Sequence, residues 1–152
     1  MQMRMNHRNV NPELLRTMMG LESFVKGTGL DPVLYELIKI RASQINGCAY
    51  CLDMHTRDLR KMGETEQRVF LIPVWREAPC YSPKEKAVLE LTEAVTLIAD
   101  GGVPDDLYSR VREQLSEQEY LAVVMAINTI NCWNRIGIAN GLFPGCYEKQ
   151  PE

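Results

Sequence analysis

The sequence predicts an all-α domain of about six or seven helices, and three observations carry that expectation. Helix-start signals recur along the chain, apolar residues repeat with a helical period, and no stretch alternates with period two between hairpin turns. The 152 residues suit one domain with a real hydrophobic core, expected over about residues 11–144. No internal repeat or interdomain linker divides them. The first ten residues and the last seven are expected to fray.

Taken in order, "NPELLRTMM" offers Asn11 as N-cap, Pro12 at the first helical position and Gly20 as a stop. "DPVLYELIKIRASQI" repeats the device with Asp31 and Pro32. A third helix begins near Cys48 and ends at Gly63, and "ETEQRVFLI" is a short one halted by Pro73. "PVWREAPCYSP" connects the two helical halves. The helix of "SPKEKAVLELTEAVTLI" opens on a capping box of Ser82 and Glu85. "PDDLYSRVREQL" follows the turn at Gly101 and Gly102, and a second capping box, Ser116 with Glu119, starts the long last helix.

Composition narrows the function. A net charge of −3 argues against nucleic acid or an anionic membrane as the main partner, because both call for a basic surface. No apolar run near the N-terminus resembles a secretory signal, and none reaches the roughly 18 residues of a membrane span. A cytoplasmic location is expected. Five cysteines cannot all pair, so a disulfide framework is not the reading. Cys80, Cys132 and Cys146 are expected to be small buried hydrophobes.

Chemistry concentrates in "INGCAYCLDMHTRDLRKMG". On a helical wheel Cys48, Cys51 and His55 fall within about 60° of one another, on a stripe shared with Leu52, Leu59 and Met62. That stripe faces a core or a partner subunit, with the sulfurs at the N-terminal end, where the first-turn N–H groups favour a thiolate. His55, one turn after Cys51, can exchange a proton with it. The three-residue spacing allows a local disulfide. Redox use of the pair competes with zinc and with ordinary core sulfur. A closed zinc site needs a fourth ligand, and the only other histidine, His7, lies in the expected N-terminal tail.

Glu36 is the candidate proton acceptor, at the edge of the preceding helix's apolar arc beside Val33 and Ile40. Arg41 lies inside that arc and needs a partner there, structural or catalytic. Asn128, Asn131 and Asn134 recur at threes in the last helix, with Trp133 among them. Buried amides require hydrogen bonds, from packing, a subunit interface or the pocket edge.

Glu36, Cys48, Cys51 and His55 stand at the offsets of a known redox motif: a carboxylate, CxxC beginning twelve residues on, and a histidine seven residues after the first cysteine. The chain resembles the alkylhydroperoxidase D-like group of the carboxymuconolactone decarboxylase superfamily over about residues 28 to 144. "ELIKIRASQINGCAYCLDMHTRDLRKMGETEQR", "WREAPCYSPKEKAVLELTEAV" and "INTINCWNRIGIA" carry the likeness. The resemblance implies a helical thiol peroxidase. In it Cys51 attacks the peroxide, Cys48 resolves the sulfenic acid, and Glu36 acts through His55. It implies no metal, haem or flavin cofactor, an external dithiol reductant such as lipoamide, and a homo-oligomer, trimer or hexamer. Where some members carry a histidine directly before the second cysteine, this chain has Tyr50, whose wheel position points away from the reactive stripe. The lactone-decarboxylating branch typically lacks the CxxC. A general dithiol–disulfide oxidoreductase or redox sensor is the first alternative. A non-enzymatic helical assembly protein with structural or zinc-binding cysteines is the second.

Overall fold

The computed structural model describes residues 1–147. They form eight α-helices: α1 (His7–Val10), α2 (Pro12–Gly27), α3 (Pro32–Asn46), α4 (Ala49–Lys61), α5 (Glu66–Leu71), α6 (Pro83–Thr96), α7 (Asp105–Gln114) and α8 (Glu117–Asn140). Two single 3-10 turns lie at Ile72–Val74 and Ile98–Asp100. No strand occurs among the described residues, so the all-α expectation holds.

The caps are where the sequence places them. The side chains of Asn11 and Asp31 accept from Glu13 and Leu34 backbone N–H groups, and both capping boxes are formed. Gly20, however, does not end α2, which continues to Gly27. A single exposed glycine costs a helix only about 1 kcal/mol, and packing of Met18, Glu22 and Val25 carries the helix past it.

α3 is the axis of the fold. It packs on α4, α6 and α8, while α2 lies against α8 and α7 against α6. One core cluster joins Val25, Leu34 and Ile38 to Val88, Leu91, Ile127 and Ile130 and includes both Cys48 and Cys51. A second joins Leu37, Ile40 and Leu59 to Ile72, Trp75 and Leu89. With neighbours on several sides, α3 buries polar residues as well, and Glu36, Lys39 and Ser43 are all inside. The connection after α5 is part of the core too, since Trp75 and Tyr81 are buried.

Arg41 finds its partner in Glu93, at 2.7 Å. Glu93 also binds Arg76 at 2.7 Å and accepts from Trp75 Nε1 at 2.8 Å. Burial pushes the Glu93 carboxyl upward, but these donors outweigh it and hold it below its ordinary value. Arg41 is thus half of a structural ion pair.

Three expectations about burial are corrected. Cys132 is exposed, and Cys80 and Cys146 are only half-buried. Asn128 is exposed on α8, unlike its neighbours at three-residue spacing. Part of the expected N-terminal tail lies against the body of the chain from Arg4 onward. Arg4 N–H donates to the Asn140 carbonyl at 2.9 Å, α1 packs on α2, and His7 is only 5% exposed. At the other end, Cys146 and Tyr147 are placed against the body of the chain, and the remaining residues of the expected C-terminal tail lie outside the described residues.

Candidate active site

Gly47 ends α3 in the left-handed region, with φ 70°, a conformation that glycine adopts without a Cβ penalty. The chain reverses there and enters α4 at once, so that Cys48 becomes the N-cap. Its Sγ accepts the Cys51 backbone N–H at 3.4 Å. The sulfur therefore occupies the position usually filled by a serine or aspartate oxygen.

Both sulfurs lie against Gly137 of α8. A Cβ placed on that residue would sit 3.4 Å from Cys48 Sγ and 3.9 Å from Cys51 Sγ. Behind them runs a chain of hydrogen-bonded amides. Asn46 Nδ2 donates to both Asn131 Oδ1 and Asn134 Oδ1 at 2.9 Å, and Asn134 Nδ2 donates to Ser43 Oγ at 3.0 Å. The buried Asn131 and Asn134 amides are thus satisfied within the subunit, and the Asn134 side chain also favours the charged form of each thiol.

The two thiols are driven apart electrostatically. A hydrogen bond from the Cys51 side chain, assisted by the Cys51 backbone N–H and by Asn134, lowers Cys48 from 9.0 to about 7 against the cost of burial. The same hydrogen bond, with burial and the adjacent Cys48 charge, pushes Cys51 well above its ordinary value. Both shifts favour a negative charge on Cys48 over one on Cys51.

α3 supplies the acid–imidazole partner. Glu36 Oε2 and His55 Nδ1 are 2.8 Å apart, and both residues are buried. With Glu36 ionised, Nδ1 carries the hydrogen and Nε2 is left as the basic nitrogen. Glu36, His55 and Cys51 line one cavity of about 290 Å³, with Cys48 set behind, against Gly137. The structure thus brings all four sequence-selected residues into one neighbourhood.

Several lining residues lay outside the sequence reading of the site. Trp133 forms part of the wall, and its Nε1 donates to Glu22 Oε1 at 3.0 Å. Glu22 also binds Lys39 Nζ at 2.9 Å and accepts from the Tyr35 hydroxyl. Burial raises the Glu22 carboxyl, but the Lys39 charge and the three donors together bring it below the usual value. His7 lines the cavity as well. So does Tyr50, against the wheel-based expectation: its hydroxyl accepts from Arg8 Nη2 at 3.3 Å at the cavity rim. A wheel sorts the flanks of a helix, whereas this cavity wraps around the beginning of α4. Among the described residues no group of three or more His, Cys, Asp or Glu side chains is arranged to hold a metal ion. No helix among them is long and apolar enough to cross a membrane.

A family model described as the carboxymuconolactone decarboxylase family matches residues 12–94, more than half of the chain. The chain belongs to that family. Within it the likeness is to the alkylhydroperoxidase D-like group. A solved protein of unknown function from Agrobacterium tumefaciens superposes with a TM-score of 0.89 at 40% identity, covering 99% of both chains. YdfG of Bacillus subtilis (strain 168), itself uncharacterised, is 52% identical over 141 residues, 93% of this chain and 96% of the relative. The alkyl hydroperoxide reductase AhpD of Streptomyces coelicolor is 43% identical over 74 residues, 46% of this chain and 42% of that protein.

Proposed function

We propose that this family member is a thiol peroxidase that reduces hydroperoxides with the Cys48–Cys51 dithiol. The observation that carries the reading is the buried Glu36–His55 pair on the wall of the cavity that Cys51 lines. Cys51 is the cavity-facing thiol and the one whose proton is hardest to lose. It is therefore the thiol that needs a base, and His55 stands one turn away.

In the proposed reaction His55 takes the Cys51 proton, with Glu36 stabilising the imidazolium. The thiolate attacks the terminal peroxide oxygen. An S–O bond forms, the O–O bond breaks, and the departing alkoxide receives the proton from His55. Cys48, with a pKa of about 7, is the ready nucleophile for the second step. Its attack on the Cys51 sulfenic acid forms the disulfide and releases hydroxide, which is protonated to water. An external dithiol of the lipoamide kind then returns both sulfurs to the reduced state.

The test is peroxide consumption by the purified protein, with several dithiols as reductant, repeated on two variants. Cys51→Ser is expected to abolish turnover. Cys48→Ser is expected to leave a trappable sulfenic acid and a single turnover. Full dithiol-dependent activity in Cys51→Ser would overturn the assignment.

One observation favours a second reading, general dithiol–disulfide exchange. The lowered pKa belongs to the N-cap cysteine of CxxC, where exchange enzymes place their attacking thiolate. Single-turnover rates with hydrogen peroxide, an alkyl hydroperoxide and a model disulfide separate the two. The peroxidase reading requires the peroxides to react faster.

A further inference from the structure

His7 is buried, and neither of its ring nitrogens has a hydrogen-bond partner. An unpartnered buried polar group costs about 1–3 kcal/mol, so its retention calls for a cause. The other ionisable groups buried in the same cavity are paired, Glu36 with His55 and Glu22 with Lys39. The Tyr147 hydroxyl is also unpartnered, but it belongs to a neighbouring recess.

The segment that carries His7 is tied to the body of the chain. Arg4 is tied to the end of α8 through the Asn140 carbonyl at 2.9 Å and the Ala139 carbonyl at 3.3 Å. It lies so close to Gly141, itself at φ 69°, that a Cβ there would meet Arg4 Cγ at 3.2 Å. Asn6 caps α1, and the His7 ring stands 6.5 Å from the Trp133 ring, centroid to centroid. The imidazole is thus held on the wall of the cavity that Cys51 and His55 also line.

Burial, and then the neighbouring Arg8 charge, lower the His7 pKa. A neutral imidazole offers one N–H and one lone pair, and a hydroperoxide offers an O–H and oxygen lone pairs in return. From this geometry we propose that His7 is a second, substrate-contacting imidazole whose N–H donates to the leaving oxygen as the O–O bond breaks. The inference rests on the peroxidase reading above. It leaves the bond changes of that step as they are. The alkoxide still takes the proton that His55 removed from Cys51, and His7 gains and loses none. Its contribution is to hold the negative charge developing on that oxygen, away from bulk water.

The experiment compares His7→Phe and His7→Gln with the unsubstituted protein. It measures the second-order rate of Cys51 oxidation by tert-butyl hydroperoxide, the rate with a model disulfide, and the melting temperature. A disulfide has no oxygen leaving group, so its rate reports on the thiols alone. His7→Phe is expected to slow the peroxide reaction by about 100-fold or more and to change the disulfide reaction far less. His7→Gln, which keeps an N–H donor, should recover most of the loss. Equal losses in both reactions would assign His7 a packing role and overturn the inference. An unchanged peroxide rate would do so as well, with water serving the two nitrogens. If Phe lowers the melting temperature, the smaller His7→Leu replaces it in the same comparison. Absence of peroxide reduction in the unsubstituted protein would remove the peroxidase reading and this inference together. An active protein indifferent to His7 would remove only the latter.

Discussion

Two buried carboxylates line one cavity, and their partners give them different capacities. Glu22, from α2, is held by three donors at once, a lysine ammonium, a tyrosine hydroxyl and an indole N–H. Glu36, from α3, faces one imidazole at 2.8 Å, a ring whose two nitrogens can serve as donor and acceptor. Burial alone does not make a carboxylate catalytic. A carboxylate saturated by permanent donors is a strut, and one opposite a titratable ring can support proton transfer.

That contrast can be broken experimentally, and the largest effect is expected at Glu22. Glu22→Leu leaves the Lys39 ammonium buried without its counter-charge, a situation that costs about 3–5 kcal/mol. Denaturant unfolding should show a correspondingly lower midpoint. Glu36→Gln is the converse. Peroxide turnover should fall by about 10²-fold or more, the usual scale for removing acid–base assistance, with a smaller loss of stability than at Glu22. If the two variants exchanged phenotypes, the division between strut and relay would be wrong.

A smaller effect concerns the sulfurs. The Cys48 pKa is lowered in the folded state, so its contribution to stability is present above the ordinary thiol value of 9.0 and is lost as pH falls through about 7. Cys51 is shifted the other way and stays protonated, so it opposes further gain once pH exceeds that ordinary value. Reduced protein should therefore gain about 2 kcal/mol between pH 7 and pH 9 relative to Cys48→Ala. Parallel unfolding titrations check this. The smallest expected change is at the cap itself. Cys51→Ala removes the hydrogen bond that most lowers Cys48, and the thiolate absorbance of Cys48 should then titrate at higher pH.

Much of the fold was legible because its helix starts are written in local chemistry: Asn11 and Asp31 before prolines, Ser82 and Ser116 three residues before glutamates. The Cys48–Cys51–His55 stripe was legible for a similar reason, since spacing within one helix fixes which side chains share a face. Glu36 stood at the edge of its arc, and only the packing of α4 on α3 settles that it points inward. His7 could not be found that way. Its helix is four residues long, too short for a period, and its burial depends on bonds to the far end of the chain. Cys132 misled because cysteine's general preference for the interior says nothing about which side of α8 a given residue occupies.

The N-cap of α4 has one more consequence. A sulfur that holds a first-turn amide of a helix can do so as a thiolate but is a poor acceptor once bonded to a second sulfur. Each cycle of oxidation would therefore uncap α4 and each reduction would restore it. If the dithiol cycles as proposed, its redox state at any moment would be readable in how fast the Cys51 amide exchanges its hydrogen with solvent.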